Sequence, residues 1–180
     1  MSSQVNLVGI VGSLRAESLN RAIFNTVVEI APPGVTITEA PLADVPLYNA
    51  DVEAKGDPTA VGALKQAVSS SDGVIVFTPE YNRSMPAVTK NAIDWLSRMG
   101  GDDGFKSVNT ALVGATIGGH EVAGVRDHLG HVLGLISRFT EPSLGIGSIG
   151  DKVENGRITD EATLADLKDW LDQFVQQLAP

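Results

Sequence analysis

Three short polar segments of this chain hold residue types that can do chemistry. The first is Gly12-Ser13-Leu14-Arg15-Ala16-Glu17-Ser18-Leu19-Asn20, directly after the apolar run Val5 to Val11. A turn from a buried strand into a helix presents free backbone N–H groups and the positive end of the helix dipole, an arrangement suited to a phosphate. Ser13, Ser18 and Asn20 add side-chain donors, and Arg15 adds a positive charge. The same residues also suit plain helix capping beside a solvated Arg, and this segment alone leaves the two readings evenly matched.

The second segment is Thr78-Pro79-Glu80-Tyr81-Asn82-Arg83-Ser84-Met85-Pro86. Two prolines stiffen it, and it offers an aromatic ring, an amide and a run of backbone donors. A stiff loop of this kind can hold a flat heterocycle by its edge. It can equally be a turn with a helix start at a first-turn proline. The third segment, Ala115-Thr116-Ile117-Gly118-Gly119-His120, has two glycines that permit close backbone approach to a ligand or make a tight turn.

The elements between these segments must bring them together. Val5 to Val11 and Gly73 to Thr78 read as strands buried on both faces, and Val108 to Thr116 as another. Val35 to Ala40 alternates and is β-branched, and Phe139 to Ile146 reads as a fifth strand despite Pro142. Helical spacing predicts helices from Leu19 to Ile30 (stopped by Pro32-Pro33-Gly34), Pro58 to Val68, Pro86 to Met99 and Glu121 to Ile136. A last helix carries the stripe Leu164, Leu167, Leu171, Phe174 and Leu178, with Thr159 or Asp160 as its N-cap. Residues 41 to 57 read as a long loop. Strands of this kind alternating with helices imply an α/β fold with a doubly wound parallel sheet and helices on both faces. Five strands suit the flavodoxin-like order 2-1-3-4-5 in one domain over 1–180, and its switch point lies between strands one and three. There the three segments converge, which is a stronger signal than any one of them.

Composition narrows the chemistry. The chain has 180 residues, 43% hydrophobic and 19% charged, an ordinary globular balance rather than a disordered one. It has no cysteine, so thiol nucleophiles, thiolate metal sites and disulfides are excluded and any redox chemistry needs a cofactor. A net charge of -9 disfavours nucleic acid and anionic membrane surfaces, so an anionic ligand must be gripped locally. No apolar run approaches the roughly 18 residues of a membrane span, and the N-terminus lacks an export signal, which makes the cytoplasm the expected location.

Two motifs are decoys. Gly145-Ile146-Gly147-Ser148-Ile149-Gly150 satisfies G-x-G-x-x-G, but no helix and βαβ unit follow, so it reads as a flexible loop ahead of a turn at 151–156. His120-Glu121 begins like a zinc motif, but Gly124 stands where the second His belongs. No metal site is expected. His128 and His131 read as surface or subunit-contact residues, and only His120 lies beside the expected pocket.

GSLRAESLNR, the LYNAD segment at 47–51 and PEYNRSMPAVTKNAIDW together resemble the NAD(P)H-dependent FMN reductase family, which includes quinone and chromate reductases and some azoreductases. The resemblance is close over residues 5 to 98 and looser to about residue 130. It implies FMN as cofactor, NADPH or NADH as hydride donor, and a homodimer or homotetramer. Carried onto this chain, it puts Ser13, Arg15, Ser18, Leu19 and Asn20 at the FMN phosphate and its surroundings. It puts Pro79, Glu80, Tyr81, Asn82 and Ser84 along the ribityl chain and ring, with Ala115, Thr116 and Gly118 in the third loop. Arg83 and His120 are the substrate-side residues. Thr116-Ile117-Gly118 departs from the family's Ser-Pro-Gly type, which leaves the third loop's contacts open.

In the implied reaction a hydride passes from the nicotinamide to flavin N5, and a small-molecule acceptor (a quinone, azo dye, metal ion or free flavin) then takes the electrons in the same pocket. No side chain need act as acid or base. The alternatives are an FMN-binding electron carrier that does not oxidise NAD(P)H, and a reductase that hands reduced FMN to a partner monooxygenase. Trp95, off the stripe of Val88, Ala92, Leu96 and Met99, reads either as extra core or, by the resemblance, as a subunit contact. Lys90 and Asn91 read as solvated or capping.

Overall fold

The computed structural model describes residues 4–100, 104–141 and 143–178. Its sheet is built on Val5–Val11 (β1), which pairs in parallel with Val35–Glu39 (β2) on one side and Gly73–Thr78 (β3) on the other. Asn109–Ala115 (β4) continues beyond β3, and Arg138–Phe139 (β5) beyond β4. The order β2-β1-β3-β4-β5 is the one the alternation of elements implies.

The sheet is covered on both faces, and this is why its strands are apolar throughout. Along β1, Val8 and Ile10 face one layer, while Leu7 and Val11 face the other; along β3, Val74 and Val76 oppose Ile75 and Phe77. The first layer is Thr59–Ser69 (α3), Ala87–Leu96 (α4) and Ala123–Ile136 (α5), through Leu64, Val68, Ile93, Leu96, Leu129 and Leu133. The second is Leu19–Glu29 (α1) and Glu161–Gln177 (α6), through Ile23, Val27, Leu167, Leu171 and Phe174. All six residues of β3 are buried, at about 1.5–3 kcal/mol for each large apolar side chain. Asp160 caps α6, accepting the Thr163 N–H at 2.9 Å.

Four expectations need correction. The strand expected over 139–146 is two pieces, β5 and Leu144–Ile146 (β6), both parallel to β4. Proline has no N–H for the ladder, and the Glu141 carboxylate takes the Ser143 N–H at 2.8 Å instead. Pro142 itself lies outside the described residues. The expected loop 41–57 contains a helical turn, Ala50–Glu53 (α2), because Asn49 caps it by accepting the Asp51 N–H at 2.8 Å. The turn at 151–156 is a hairpin of Val153–Glu154 (β7) and Arg157–Ile158 (β8), closed by Asn155 and Gly156 at φ 49° and 72°.

The fourth correction concerns α4. Asn91 is buried, not solvated: its side-chain oxygen accepts the Tyr48 N–H at 2.8 Å and its amide donates to the Pro46 carbonyl at 2.9 Å. Trp95 is fully buried, donates its Nε1–H to the same carbonyl at 2.8 Å, and meets the Tyr48 ring edge-on at 5.0 Å. The core reading of Trp95 therefore holds for this chain, and the pair clamps segment 45–48 to the sheet's first layer. Lys90 is paired with Asp94 on the exposed face.

Candidate active site

The three polar segments meet at the carboxyl ends of β1, β3 and β4, where a 340 Å³ cleft is lined by Ser13, Arg15, Ser18, Leu19, Asn20, Pro79, Glu80, Tyr81, Ala115 and Thr116. Ten of the expected site residues are thus brought together. Ile117, which was not singled out, joins them; it is 77% exposed at the rim. A large apolar residue inside a glycine-rich polar loop was the available signal.

The first loop is rich in unused donors. Among the described residues, the backbone N–H groups of Ser13 to Ser18 make no hydrogen bond, and neither does the hydroxyl of Ser13, although that residue is buried. Residues 14–17 are exposed, so these donors are open to water or to a ligand. Ser18 is the N-cap of α1, accepting the Arg21 N–H at 3.3 Å. Arg15 is exposed and has no ion pair among the described residues. Asn20 is partly committed: its oxygen accepts the Ala115 N–H at 3.0 Å and its amide donates to the Ala115 carbonyl at 3.4 Å. What it retains for a ligand is its second amide hydrogen. It also fastens the first loop's helix to the third loop's strand.

The second loop is a miniature hairpin. Tyr81 and Ser84 exchange backbone hydrogen bonds of 2.9 and 3.0 Å around Asn82 and Arg83, which stand at φ 52° and 63°. Two consecutive left-handed residues make a tight turn, at some conformational cost for the Arg. Asn82, Arg83 and Ser84 are not among the residues that line the cleft; the Ser84 hydroxyl is 2.9 Å from His128 Nδ1. Tyr81, 55% exposed, stays at the cleft.

Glu80 turns its carboxylate inward. One oxygen accepts the Val125 N–H at the start of α5 (3.0 Å), and the other lies 3.2 Å from His120 Nε2. Gly118 and His120, expected at the site, are not among the residues that line the cleft. The third loop is pinned from below by the segment that mimics a dinucleotide motif. The Ser148 N–H donates to the Gly118 carbonyl at 2.9 Å, and that of Ile149 to the Thr116 carbonyl at 3.1 Å. A Cβ on Gly145 would sit 2.0 Å from the Glu121 carbonyl oxygen, so that glycine serves a close approach. This segment is bonded structure, not the flexible loop its composition suggests. Beyond it, Glu121 and Val122 adopt φ 51° and 50°. Burial of Val122 in the core holds that strained pair in place.

A larger groove of 720 Å³ runs along the β2 side, but its walls are mostly apolar and its Arg21 is spent on Glu39 in a two-bond pair of 2.7 Å each. That pairing raises the Arg21 pKa above its ordinary value. The donor set that fits an anion is in the smaller cleft. Unbonded amides, the unbonded Ser13 hydroxyl and the exposed Arg15 guanidinium suit a phosphate monoester. The Glu80, Asn82 and Arg83 N–H groups, also unbonded among the described residues, suit the edge of a flat heterocycle. These residues fit FMN.

Comparison with known proteins agrees. The profile of the NADPH-dependent FMN reductase family matches residues 5–151. The chain is 36% identical to an NAD(P)H-dependent FMN reductase of Pseudomonas aeruginosa, covering 89% of this chain and 88% of that one. It is 36% identical to a quinone reductase of Escherichia coli, covering 97% and 95%. Among solved structures, the flavoenzyme NAD(P)H:(acceptor) oxidoreductase FerB of Paracoccus denitrificans superposes with a TM-score of 0.88 at 32% identity, over 97% of each chain. The order of the sheet, the donor-rich cleft at its switch point and these relationships agree: the chain belongs to the NADPH-dependent FMN reductase family and is an FMN-dependent NAD(P)H oxidoreductase.

Proposed function

We propose that the cleft between the first, second and third loops holds FMN and that a quinone-class acceptor is reduced at its open side. The unbonded amides of residues 13–18, with Ser13 and Arg15, are the observation that carries this reading. They grip the phosphate at the positive end of α1. The Glu80, Asn82 and Arg83 amides meet the ring edge, where negative charge develops on reduction. Bound FMN supplies the group that takes a hydride from NAD(P)H and gives electrons onward. Tyr81 and Ile117, both exposed and both lining the cleft, offer an apolar rim over which first a nicotinamide and then a flat acceptor can lie. One surface serving both substrates in turn gives a ping-pong scheme.

The reading includes a homodimer or homotetramer. Leu47 and Leu135, 78% and 65% exposed, are apolar surface that a second copy would cover, and sedimentation at several concentrations tests this. For the function itself, the protein is incubated with FMN, desalted, and given NADPH or NADH without oxygen. A retained flavin band that bleaches and recovers on adding a quinone supports the reading. A retained band that neither donor bleaches identifies an electron carrier instead. Loss of the band on desalting, with turnover rising as free FMN is added, identifies a reductase that releases its flavin.

A further inference from the structure

The second loop does not hold its own shape. Its hairpin has the two Tyr81–Ser84 backbone bonds, and its tip places two residues with a Cβ in the left-handed region. A hairpin of that size is marginal in water, and left-handed backbone adds to its cost. Helix α5 is incomplete in a matching way. Its N-cap position is Val122, which has no capping side chain, and its first turn has no acidic residue. The two deficits meet on one face of the helix. The Glu80 carboxylate, 5% exposed, accepts the N–H of Val125, the third residue of α5, at 3.0 Å; its other oxygen lies 3.2 Å from His120 Nε2. Gly124 lies against the hairpin tip, where a Cβ would stand 3.0 Å from the Arg83 carbonyl oxygen and 3.1 Å from its Cα. That approach accounts for a poor helix former in the first turn. Four residues on, and so on the same face, His128 Nδ1 is 2.9 Å from the Ser84 hydroxyl.

We propose that the first two turns of α5 are the template that holds the second loop in shape for the flavin, with the Glu80 carboxylate, Gly124 and His128 as positioning groups. The inference rests on the reading of the cleft as the FMN site, because Pro79, Glu80 and Tyr81 are its second-loop wall. The Glu80 N–H, unbonded among the described residues, is the donor whose place is fixed in this way. Reduced flavin carries the more negative ring, so a displaced donor weakens reduced flavin more than oxidised.

The test has a readout for the loop and two for the cofactor. Arg83 is exposed at the hairpin tip, so the rate of trypsin cleavage after it in the FMN-free chain, read from fragment masses, reports opening of the loop. Fluorescence quenching gives FMN affinity, and a reductive titration gives the midpoint potential of bound flavin. In Glu80→Ala the cut becomes about tenfold faster and FMN affinity about tenfold lower, the scale of one lost hydrogen bond. Reduced flavin loses about tenfold more than oxidised, a fall of about 30 mV in the two-electron potential. Glu80→Gln, which keeps an acceptor for the Val125 N–H, restores the cut rate and the affinity. His128→Ala, at an exposed position that leaves the urea midpoint unchanged, moves all three readouts the same way by less, and His128→Asn, whose amide reaches the place of Nδ1, restores them. It decides the matter if Glu80→Ala does not fold. An unchanged cut rate in these alanine variants, whatever the affinity does, overturns the proposal and leaves the FMN reading standing on wild-type binding. A faster cut with unaltered FMN affinity takes the second loop out of the flavin site, and overturns that reading of the loop and the proposal with it.

Discussion

The two walls of the cleft differ in how their backbone is used. The third loop is tied down at nearly every step: Ala115 by Asn20, Thr116 by the Ile146 carbonyl at 3.0 Å, and the Thr116 and Gly118 carbonyls by Ile149 and Ser148. The first loop, only a strand away across β3, leaves six successive N–H groups unbonded among the described residues. A wall that must keep its shape spends its hydrogen bonds internally, and a wall that must hold an anion saves them for the ligand. Segment 45–48, clamped by Asn91 and Trp95, belongs with the first kind.

The comparison can be broken most sharply at Gly145. Gly145→Ala forces a Cβ to within 2.0 Å of the Glu121 carbonyl and so pushes the pinned wall out of place. A stability loss of about 3 kcal/mol is expected by urea unfolding, with FMN affinity falling as well. Asn91→Ala leaves the Tyr48 N–H without its side-chain acceptor and the Pro46 carbonyl with the Trp95 Nε1–H alone. Its expected cost is about 2 kcal/mol, with FMN affinity retained because the clamp lies away from the cleft. Arg15→Ala should do the reverse. It removes a cation from the open wall, weakening FMN binding about tenfold, or about 1.4 kcal/mol, with an unchanged unfolding midpoint. Unaltered affinity in a fluorescence titration would remove Arg15 from the site.

The smallest effect is expected at Asp160, where the cap is exposed and far from both walls. The Thr163 hydroxyl and N–H, at 2.6 and 2.9 Å, hold its carboxyl below the ordinary value of 3.8. Because the folded pKa is the lower one, the stabilisation is whole above the unfolded value and is lost as pH falls through the folded value. Urea midpoints measured from about pH 5 down to about pH 3 should fall slightly less in Asp160→Asn, which keeps a capping oxygen but cannot titrate.

Much of this molecule follows from its sequence alone. Apolar runs such as Gly73 to Thr78 can be buried only between two helical layers, so the alternation of runs and amphipathic stripes dictates the parallel sheet and its order. That order in turn determines which loops meet, and ten expected residues do line one cleft. Local chemistry therefore suffices for elements and for loop neighbours. The tertiary structure decided where each polar side chain spends its hydrogen bonds. Asn20 and Asn91 look alike as loop and helix amides, yet one straddles the cleft and the other clamps a distant segment, because their partners are 95 and 43 residues away. Glu80 finds His120 and the start of α5, and Gly145 finds the Glu121 carbonyl, only when the chain has closed. Hydrogen bonds and close approaches act over a few ångströms in space, and no spacing along the chain specifies which distant group will stand there.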